Sequence, residues 1–200
     1  MLDAGWRVTV VREIRAALRE LCPRSRVALR GSLAAGTADE YSDIDLAWTV
    51  PADEFAACLD AVAGKLDAVH PLLSARSDPE SARRGQRLLF FHFRDLPLFW
   101  RLDLEVRAAP TGDVLDEPGS GGWSPAASAL ANAVAAAKAV HRQRHEVARG
   151  LLDRGFARVG SADRATGDWF ADIRRLAAAA VAAESAVTPF AERVTALLDD

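Results

Sequence analysis

Two aspartates, Asp43 and Asp45, are separated by one apolar residue in the segment SDIDLAWTV, residues 42–50. Side chains alternate between the two faces of a β-strand, so both carboxylates point to one face while Ile44 and Leu46 point to the other. Carboxylates this close repel each other unless a cation lies between them, and hard cations such as Mg²⁺ prefer oxygen ligands. The pair is therefore a candidate metal platform. The alternative is a half-exposed strand that carries two solvated surface aspartates.

A Gly-Ser pair, Gly31 and Ser32, precedes these aspartates and follows a short apolar segment. Glycine lets the backbone approach a ligand closely, and serine offers both an N–H group and a hydroxyl. If a helix begins near residues 33–35, the N–H groups at its start would point toward an anion such as a phosphate. A Gly-Ser turn alone is common. Followed by an Asp-x-Asp strand, it predicts a phosphate-binding turn beside a metal platform.

A later segment, WRLDLEVRA, supplies Asp103 and Glu105, again on one face of a predicted strand. If this strand pairs beside the first, it brings Asp103 to the same metal ions. Charged residues on one side of a half-exposed strand are also an ordinary surface feature. For Glu105 three roles remain open: general base, orienting residue, or surface acid.

Apolar periodicity predicts the elements that position these residues. An amphipathic helix is expected over residues 4–21, and another is expected to begin at Ala52 or Asp53. Strands are expected before Gly31, over DIDLAWTV, and over RLLFFHF and LFWRLDLEVRA, the last two joined through RDLP as a hairpin.

The second half of the chain has a different composition. Ser124–Pro125 is a helix-start signal, and we expect a long Ala-rich helix through Lys138 and His145, with Gly155 ending either this helix or a short one after it. Two further helices are expected around Trp169–Val181 and from Thr188 onward. The predicted fold class is α+β: an α/β domain with a mixed sheet over residues 1–110, a Gly/Pro/Asp linker over 111–123, and a helical domain over 124–200.

Composition restricts the classes of partner. The chain has 200 residues and a formal net charge of −3, which disfavours a general polyanion binder. No segment has the pattern of a signal peptide or the length of a membrane span, so we expect a cytoplasmic protein that does not associate with a membrane. Cys22 and Cys58 have no metal-ligand spacing around them, and we expect both to be small buried residues.

The segment GSLAAGTADEYSDIDLAW resembles the signature of the polymerase-β-type nucleotidyltransferase superfamily. The family pattern is a Gly-Ser turn, a spacer, an Asp-x-Asp between apolar residues, and a third carboxylate on a later strand, which RLDLEV matches. The sequence of this motif is most similar to that of small bacterial members of the superfamily. These members include aminoglycoside and other antibiotic nucleotidyltransferases and minimal toxin–antitoxin enzymes. The resemblance covers residues 25–107.

The resemblance implies roles for individual residues. Gly31 and Ser32 would hold the β- and γ-phosphates of a nucleoside triphosphate. Asp43, Asp45 and Asp103 would bind two Mg²⁺ ions, with Asp103 also helping to activate an acceptor hydroxyl.

Two further residues are candidates for binding the nucleotide. Lys138 is one because the helical domain of related enzymes often supplies a basic residue to the triphosphate; the alternative is a surface lysine that reaches water. Ser42 is the other, although a turn cap is the simpler interpretation.

Three functions follow from this pattern. The first is Mg²⁺-dependent transfer of NMP, with ATP as the expected donor, to a hydroxyl of a small molecule such as an aminoglycoside-like antibiotic. Asp113, Asp116 and Glu117 could line the pocket of such a cationic acceptor. The second is transfer to a protein partner, as in toxin–antitoxin enzymes. The third is a catalytically decayed nucleotide-binding module, which the intact set of three aspartates disfavours. Nucleic acid is not the expected acceptor, given the net charge.

Overall fold

The computed structural model describes residues 4–78, 85–109 and 123–198. The chain divides into two compact units, Met1–Trp123 and Ser124–Asp200. The predicted linker, residues 111–123, lies outside the described residues apart from Trp123, as do Asp113, Asp116 and Glu117. No helix in the described part of the chain combines the length and the apolar character that crossing a membrane requires.

The first unit contains a mixed sheet with helices. Its elements are α1 (Ala4–Leu21), β1 (Arg26–Leu29), α2 (Gly31–Ala35), β2 (Ile44–Val50), a 3₁₀ helix (Ala52–Glu54), α3 (Phe55–Asp67), β3 (Leu72–Ser77), β4 (Gln86–Phe93) and β5 (Leu102–Ala108). Among the described residues the strand order is β1-β2-β5-β4-β3. The β2–β5 pair is parallel and the other pairs are antiparallel. The predicted α+β class with a mixed sheet is confirmed.

The alternating pattern of β2 and β5 produces one apolar and one polar face. Ile44, Leu46 and Trp48 of β2 are fully buried, as are Leu102 and Leu104 of β5. Burying such side chains stabilises the fold by about 1.5–3 kcal/mol each. The residues between them therefore share the opposite face, where the candidate site lies.

Helices α1 and α3 pack against each other and contact the sheet. Cys22 follows α1 and Cys58 lies in α3, and both side chains are buried, as predicted. Burial raises the pKa of both thiols, that of Cys58 to about 12, so both are protonated at neutral pH.

One strand of the first unit was not predicted, and one predicted strand was too long. The strand that was not predicted is β3, which among the described residues pairs only with β4 at the edge of the sheet, and LLSARS lacks a clear apolar alternation. The strand expected over LFWRLDLEVRA begins only at Leu102. Its first residues, Phe99 and Trp100, lie in the β4–β5 connection but are buried, because this loop packs into the core. Apolar residues in a packed loop cannot be distinguished from a buried strand by their hydrophobicity.

The second unit is helical. Its helices are α4 (Pro125–His141), α5 (His145–Arg158), α6 (Trp169–Ala183) and α7 (Thr188–Ala196), with a 3₁₀ helix (Ser185–Val187) before the last. Ser124 caps α4 as expected, because its side chain accepts a hydrogen bond from the N–H of Ala127. α4 is the central helix of the unit and contacts α5, α6 and α7.

Two boundaries in this unit differ from the predictions. The long helix does not continue through His145, because Gln143 adopts a left-handed conformation with φ of 57° and separates α4 from α5. Gly155 does not end a helix but lies inside α5. A Cβ there would lie 2.5 Å from Cδ2 of Leu176, so glycine permits the close approach of α5 to α6.

Asp172 of α6 is the buried acid that organises the loop before its own helix. It accepts hydrogen bonds from the N–H and hydroxyl of Thr166 at 2.8 and 2.9 Å and from the N–H of Gly167 at 3.1 Å. Arg175 donates to it at 2.7 Å. Burial alone would raise the pKa of Asp172, but the hydrogen bonds from Arg175, Thr166 and Gly167 outweigh it and lower the pKa.

Asp172→Asn is expected to lower the free energy of unfolding at neutral pH by about 2–3 kcal/mol, because the amide offers one acceptor and no charge. Since the pKa of Asp172 is lower in the folded state, its stabilisation is present above the unfolded pKa of about 3.9 and is lost as the pH falls through the folded value. Urea unfolding from pH 7 to pH 2 measures both effects. The control is Asp163→Asn, which removes an exposed ion pair to the same Arg175 and should cost less than about 0.5 kcal/mol. Equal losses in the two variants would contradict this account.

Candidate active site

Three aspartates meet on the polar face of the sheet. In the parallel β2–β5 pair Asp45 lies in register with Asp103, and Asp43 directly precedes β2. Neighbouring strands are about 4.8 Å apart, so the two in-register carboxylates are side by side. The backbone N–H of Ile44 donates to the carbonyl of Arg101 at 2.8 Å, which holds the start of β2 to the start of β5. The structure therefore brings together the three aspartates that the sequence singled out.

Gly31 lies against one of these carboxylates. It has a φ of 56°, and a Cβ at this position would collide with Oδ2 of Asp45 and lie 2.9 Å from its Cγ. The preceding residue, Arg30, donates its backbone N–H to the carbonyl of Asp45 at 2.9 Å. Glycine is required here for both the left-handed backbone and the close approach. Ser32, the next residue, is half-buried in the short helix α2. The Gly-Ser turn and the aspartates are thus direct neighbours.

A half-buried cation, Arg101, lies among the aspartates, and we did not predict it. Its Nε and Nη2 donate to the two carboxylate oxygens of Asp103 at 2.5 and 2.7 Å, and its Nη2 lies 3.7 Å from Asp43. Its guanidinium also stacks on Phe90, 4.9 Å from the ring centre. Burial by itself lowers the pKa of Arg101, but the negative charges of Asp103 and Asp43 outweigh it, so the pKa of Arg101 is raised. The pKa of Asp103 is also raised, because the effect of burial outweighs that of Arg101. The polar face therefore favours positive charge.

Glu105 is buried at 4% exposure, which excludes the surface-acid interpretation. Its carboxylate pairs with Arg107 at 2.7 Å and contacts Gln86 and the guanidinium of Arg30. Because Arg30 directly precedes Gly31, Glu105 ties the Gly-Ser turn to β5. Its geometry is that of a residue that orients the turn.

The sequence already contained the pattern that places Arg101 and Arg107 beside the acids of β5. Arg101, Asp103, Glu105 and Arg107 stand at every second position of WRLDLEVRA and share one strand face. Their pairing could have been inferred from the spacing alone. What the spacing could not show is that Glu105 is buried and Asp103 half-buried, so that both carboxylates need these partners.

Residues 11–90 match the family model described as the nucleotidyltransferase domain. Residues 11–90 thus resemble a nucleotidyltransferase domain. The matched residues include the Gly-Ser turn, Asp43 and Asp45, while Asp103 and Glu105 follow them. The family resemblance drawn from the sequence is confirmed. None of the curated proteins compared with the chain matches it.

The solved structures that match the chain contain longer chains. A cytoplasmic RNA terminal U-transferase is 15% identical with a TM-score of 0.41, over 51% of this chain and 30% of that chain. The RNA terminal uridylyl transferase Cid1 is 14% identical with a TM-score of 0.38, over 73% of this chain and 37% of that one. The GLD-2/RNP-8 complex is 11% identical with a TM-score of 0.41, over 85% of this chain and 52% of that one. The chain thus spans between 30% and 52% of the length of these three chains.

In the nucleotidyltransferase domain the loop from α2 to β2 is held by Ser42 and Arg7. The hydroxyl of Ser42 donates to Oδ1 of Asp39 at 2.7 Å and accepts the N–H of Asp39 at 3.0 Å. These are the hydrogen bonds of a turn cap. Arg7 of α1, which we did not predict, donates to the carbonyl of Asp39 at 2.6 Å. Arg7 therefore fixes the position of the loop that ends at Asp43.

Lys138 lies outside the nucleotidyltransferase domain, in α4 of the second unit. Its side chain is buried at 6% exposure, so the interpretation as a surface lysine is wrong. Most of α4 is buried because it is the central helix of its unit, and Lys138 is one of its buried residues. An ammonium is expensive to bury unless it is paired.

Proposed function

We propose that the chain is a Mg²⁺-dependent nucleotidyltransferase that moves NMP from a nucleoside triphosphate to a hydroxyl of a small molecule, with release of pyrophosphate. One observation carries this proposal: Asp45 and Asp103 are in register on adjacent parallel strands, beside Asp43 and against Gly31. Three half-buried carboxylates grouped beside a glycine turn repel one another unless a cation lies among them, which ordinary solvated surface acids do not require.

The chemistry of the donor set fits Mg²⁺. Asp43, Asp45 and Asp103 offer hard carboxylate oxygens, the ligands that Mg²⁺ prefers, and a guanidinium among them shows that the face stabilises a cation. These three residues would hold two ions. Bound Mg²⁺ lowers the pKa of an attacking hydroxyl and neutralises charge on the leaving pyrophosphate.

Several residues of the chain are proposed to position the donor. Gly31 leaves space beside Asp45 for phosphate oxygens, and Ser32 offers a hydroxyl and an N–H group. Glu105 holds Arg30, and with it the turn, so the phosphates would meet a preorganised backbone. Lys138 is proposed as a further ligand of the triphosphate. Ser42 is proposed to act through the loop that it caps.

ATP is the proposed donor and an aminoglycoside-like molecule is the proposed acceptor, in the cytoplasm. The net charge of −3 suits a cationic acceptor better than a polyanion. Transfer to a protein hydroxyl, or a decayed module that only binds nucleotide, would use the same donor side of the site. The acceptor assay separates these three functions.

Calorimetric titration with ATP, GTP, CTP and UTP, each with and without Mg²⁺, tests the donor side. We expect Mg²⁺-dependent binding of one triphosphate to the wild type and none to Asp43→Ala/Asp45→Ala. Pyrophosphate release with aminoglycosides, candidate proteins or RNA then identifies the acceptor class. Absence of triphosphate binding would overturn the proposal, and binding without any pyrophosphate release would favour the decayed module.

Arg101→Gln is expected to lower the free energy of unfolding without Mg²⁺ by about 3 kcal/mol, because Asp103 and Asp43 lose the half-buried cation that pairs with them. Mg²⁺ should then raise the Tm of the variant more than that of the wild type, since the metal no longer competes with a guanidinium. Thermal unfolding with and without Mg²⁺ measures this difference. Arg107→Gln, which removes the half-exposed partner of Glu105 on the same strand face, is the control and should show the wild-type response to Mg²⁺. If Mg²⁺ shifts both variants equally, Arg101 does not occupy the metal platform.

A further inference from the structure

A second cluster of metal-ligand atoms lies outside the candidate active site. It consists of the thiols of Cys22 and Cys58 and the carboxylate of Glu54, whose ligand atoms all lie within 4.8 Å of one another. The sequence did not suggest it, because Cys22 is 32 residues from Glu54. The packing of α1 against α3 brings the end of one helix to the start of the other.

The local structure places the side chains of Cys22, Glu54 and Cys58 around a common centre. Glu54 directly precedes α3 and Cys58 stands four residues later, so both side chains lie on one side of the first helical turn. Cys22, just past α1, donates its thiol hydrogen to Oε2 of Glu54 at 3.0 Å. The ligand atoms are therefore already grouped around a shared centre.

A second layer of contacts orients the carboxylate. Arg24 donates its Nε to Oε1 of Glu54 at 2.7 Å and its Nη2 to Asp53 at 2.9 Å. Only Oε2 of Glu54 is thereby left facing the thiols. Hydrogen bonds that fix a ligating carboxylate are a regular feature of protein metal sites.

We propose that Cys22, Glu54 and Cys58 bind a borderline-soft divalent cation of the Zn²⁺ class. Two thiolates and one carboxylate are ligands that Zn²⁺ takes in tetrahedral sites, with bond lengths of about 2.0–2.3 Å. In such a tetrahedron the ligand atoms are about 3.5–3.8 Å apart, within the spread of this cluster. Each thiol releases its proton to solvent when its sulfur binds the metal, as thiolate ligation requires. Glu54 is partly exposed, with 32% of its side chain accessible, so a water can complete the tetrahedron from that side.

This site is chemically separate from the proposed Mg²⁺ platform, whose ligands are all oxygen. Bound metal would link the end of α1 to the start of α3 and stabilise the helical layer of the nucleotidyltransferase domain. The chain has only two cysteines, so any thiolate-to-metal absorption band reports on this site alone.

The test is titration of the full-length, metal-free protein with Co²⁺ in the presence of a non-thiol reductant. We expect an ultraviolet thiolate-to-cobalt band that saturates at one equivalent and is displaced by Zn²⁺. Cys58→Ala should abolish the band, and Glu54→Gln should weaken Co²⁺ binding about tenfold or more. Asp53→Asn, which contacts Arg24 but offers no ligand, and Asp43→Ala/Asp45→Ala should both keep the band.

No band in the wild type, or a band that survives in Cys58→Ala, would overturn the proposal. If Cys58→Ala does not fold, the rate of thiol alkylation in the wild type decides instead. Protection of both thiols by one equivalent of Zn²⁺ supports the site, and unchanged alkylation overturns it. Neither result depends on nucleotidyl transfer, so the failure of one proposal is distinguishable from the failure of the other.

Discussion

Asp45→Asn is expected to reduce kcat/KM for nucleotidyl transfer by about 10³-fold or more, because metal ions supply several kcal/mol of transition-state stabilisation. The amide keeps the shape of the side chain beside Gly31 and in register with Asp103, so the fold should be retained. Pyrophosphate release with the acceptor found by screening measures the loss. Calorimetry measures whether Mg²⁺-dependent binding of the triphosphate is lost in parallel.

The matched control for this charge change is Asp60→Asn, an exposed acid on α3. It removes the same charge from the same domain and should leave kcat/KM unchanged. If Asp45→Asn retains activity within about tenfold of the wild type, the carboxylate supplies less than about 1.4 kcal/mol and is not a metal ligand.

Gly31→Ala is expected to lower Mg²⁺-dependent triphosphate binding and transfer by about 10²-fold or more, because a displacement of about 1 Å at a reacting centre is enough for such a loss. The new Cβ collides with Oδ2 of Asp45, so either the carboxylate or the turn must move. The left-handed backbone adds a cost to folding of about 1–2 kcal/mol. Urea unfolding separates this loss of stability from the loss of binding.

Gly36→Ala is the matched control. Gly36 ends α2 with a φ of 68°, yet nothing lies within 4 Å of a Cβ placed there. Gly36→Ala should show a similar loss of stability, because both variants place alanine in a left-handed backbone. Triphosphate binding should change little, because the new Cβ of Gly36→Ala does not collide with Asp45. If both variants bind the triphosphate equally well, the contact between Gly31 and Asp45 has no part in the site.

Local patterns were sufficient for much of the fold. The helical spacing of apolar residues predicted α1 at Ala4–Leu21, and the alternation in DIDLAWTV predicted β2 with its buried Trp48. Both signals concern residues within one or two turns or along one strand, where periodicity and burial are directly linked. The family resemblance rested on the same kind of signal, since the Gly-Ser turn and the Asp-x-Asp strand are local.

Errors arose where distant packing decided the local structure. Gly155 was read as a helix end because glycine is a poor helix former, but the contact with Leu176 of α6 favours it inside α5. Phe99 and Trp100 read as a strand because they are apolar, yet they fill the core from a loop. The alternative that Lys138 is a surface lysine failed for the same reason, because Lys138 is buried in the central helix of its unit.

The sequence by itself determined the domain family, the α+β class, and the shared face of Asp43 and Asp45, because strand alternation and turn chemistry are properties of neighbouring residues. Only the tertiary structure decided that β5 lies parallel to β2 and places Asp103 beside Asp45. It also placed Arg101 among the acids, Glu105 on the Gly-Ser turn, and the two cysteines beside Glu54. Strand order and helix packing follow from burying the apolar faces of all elements together, so no single segment of the sequence contains them.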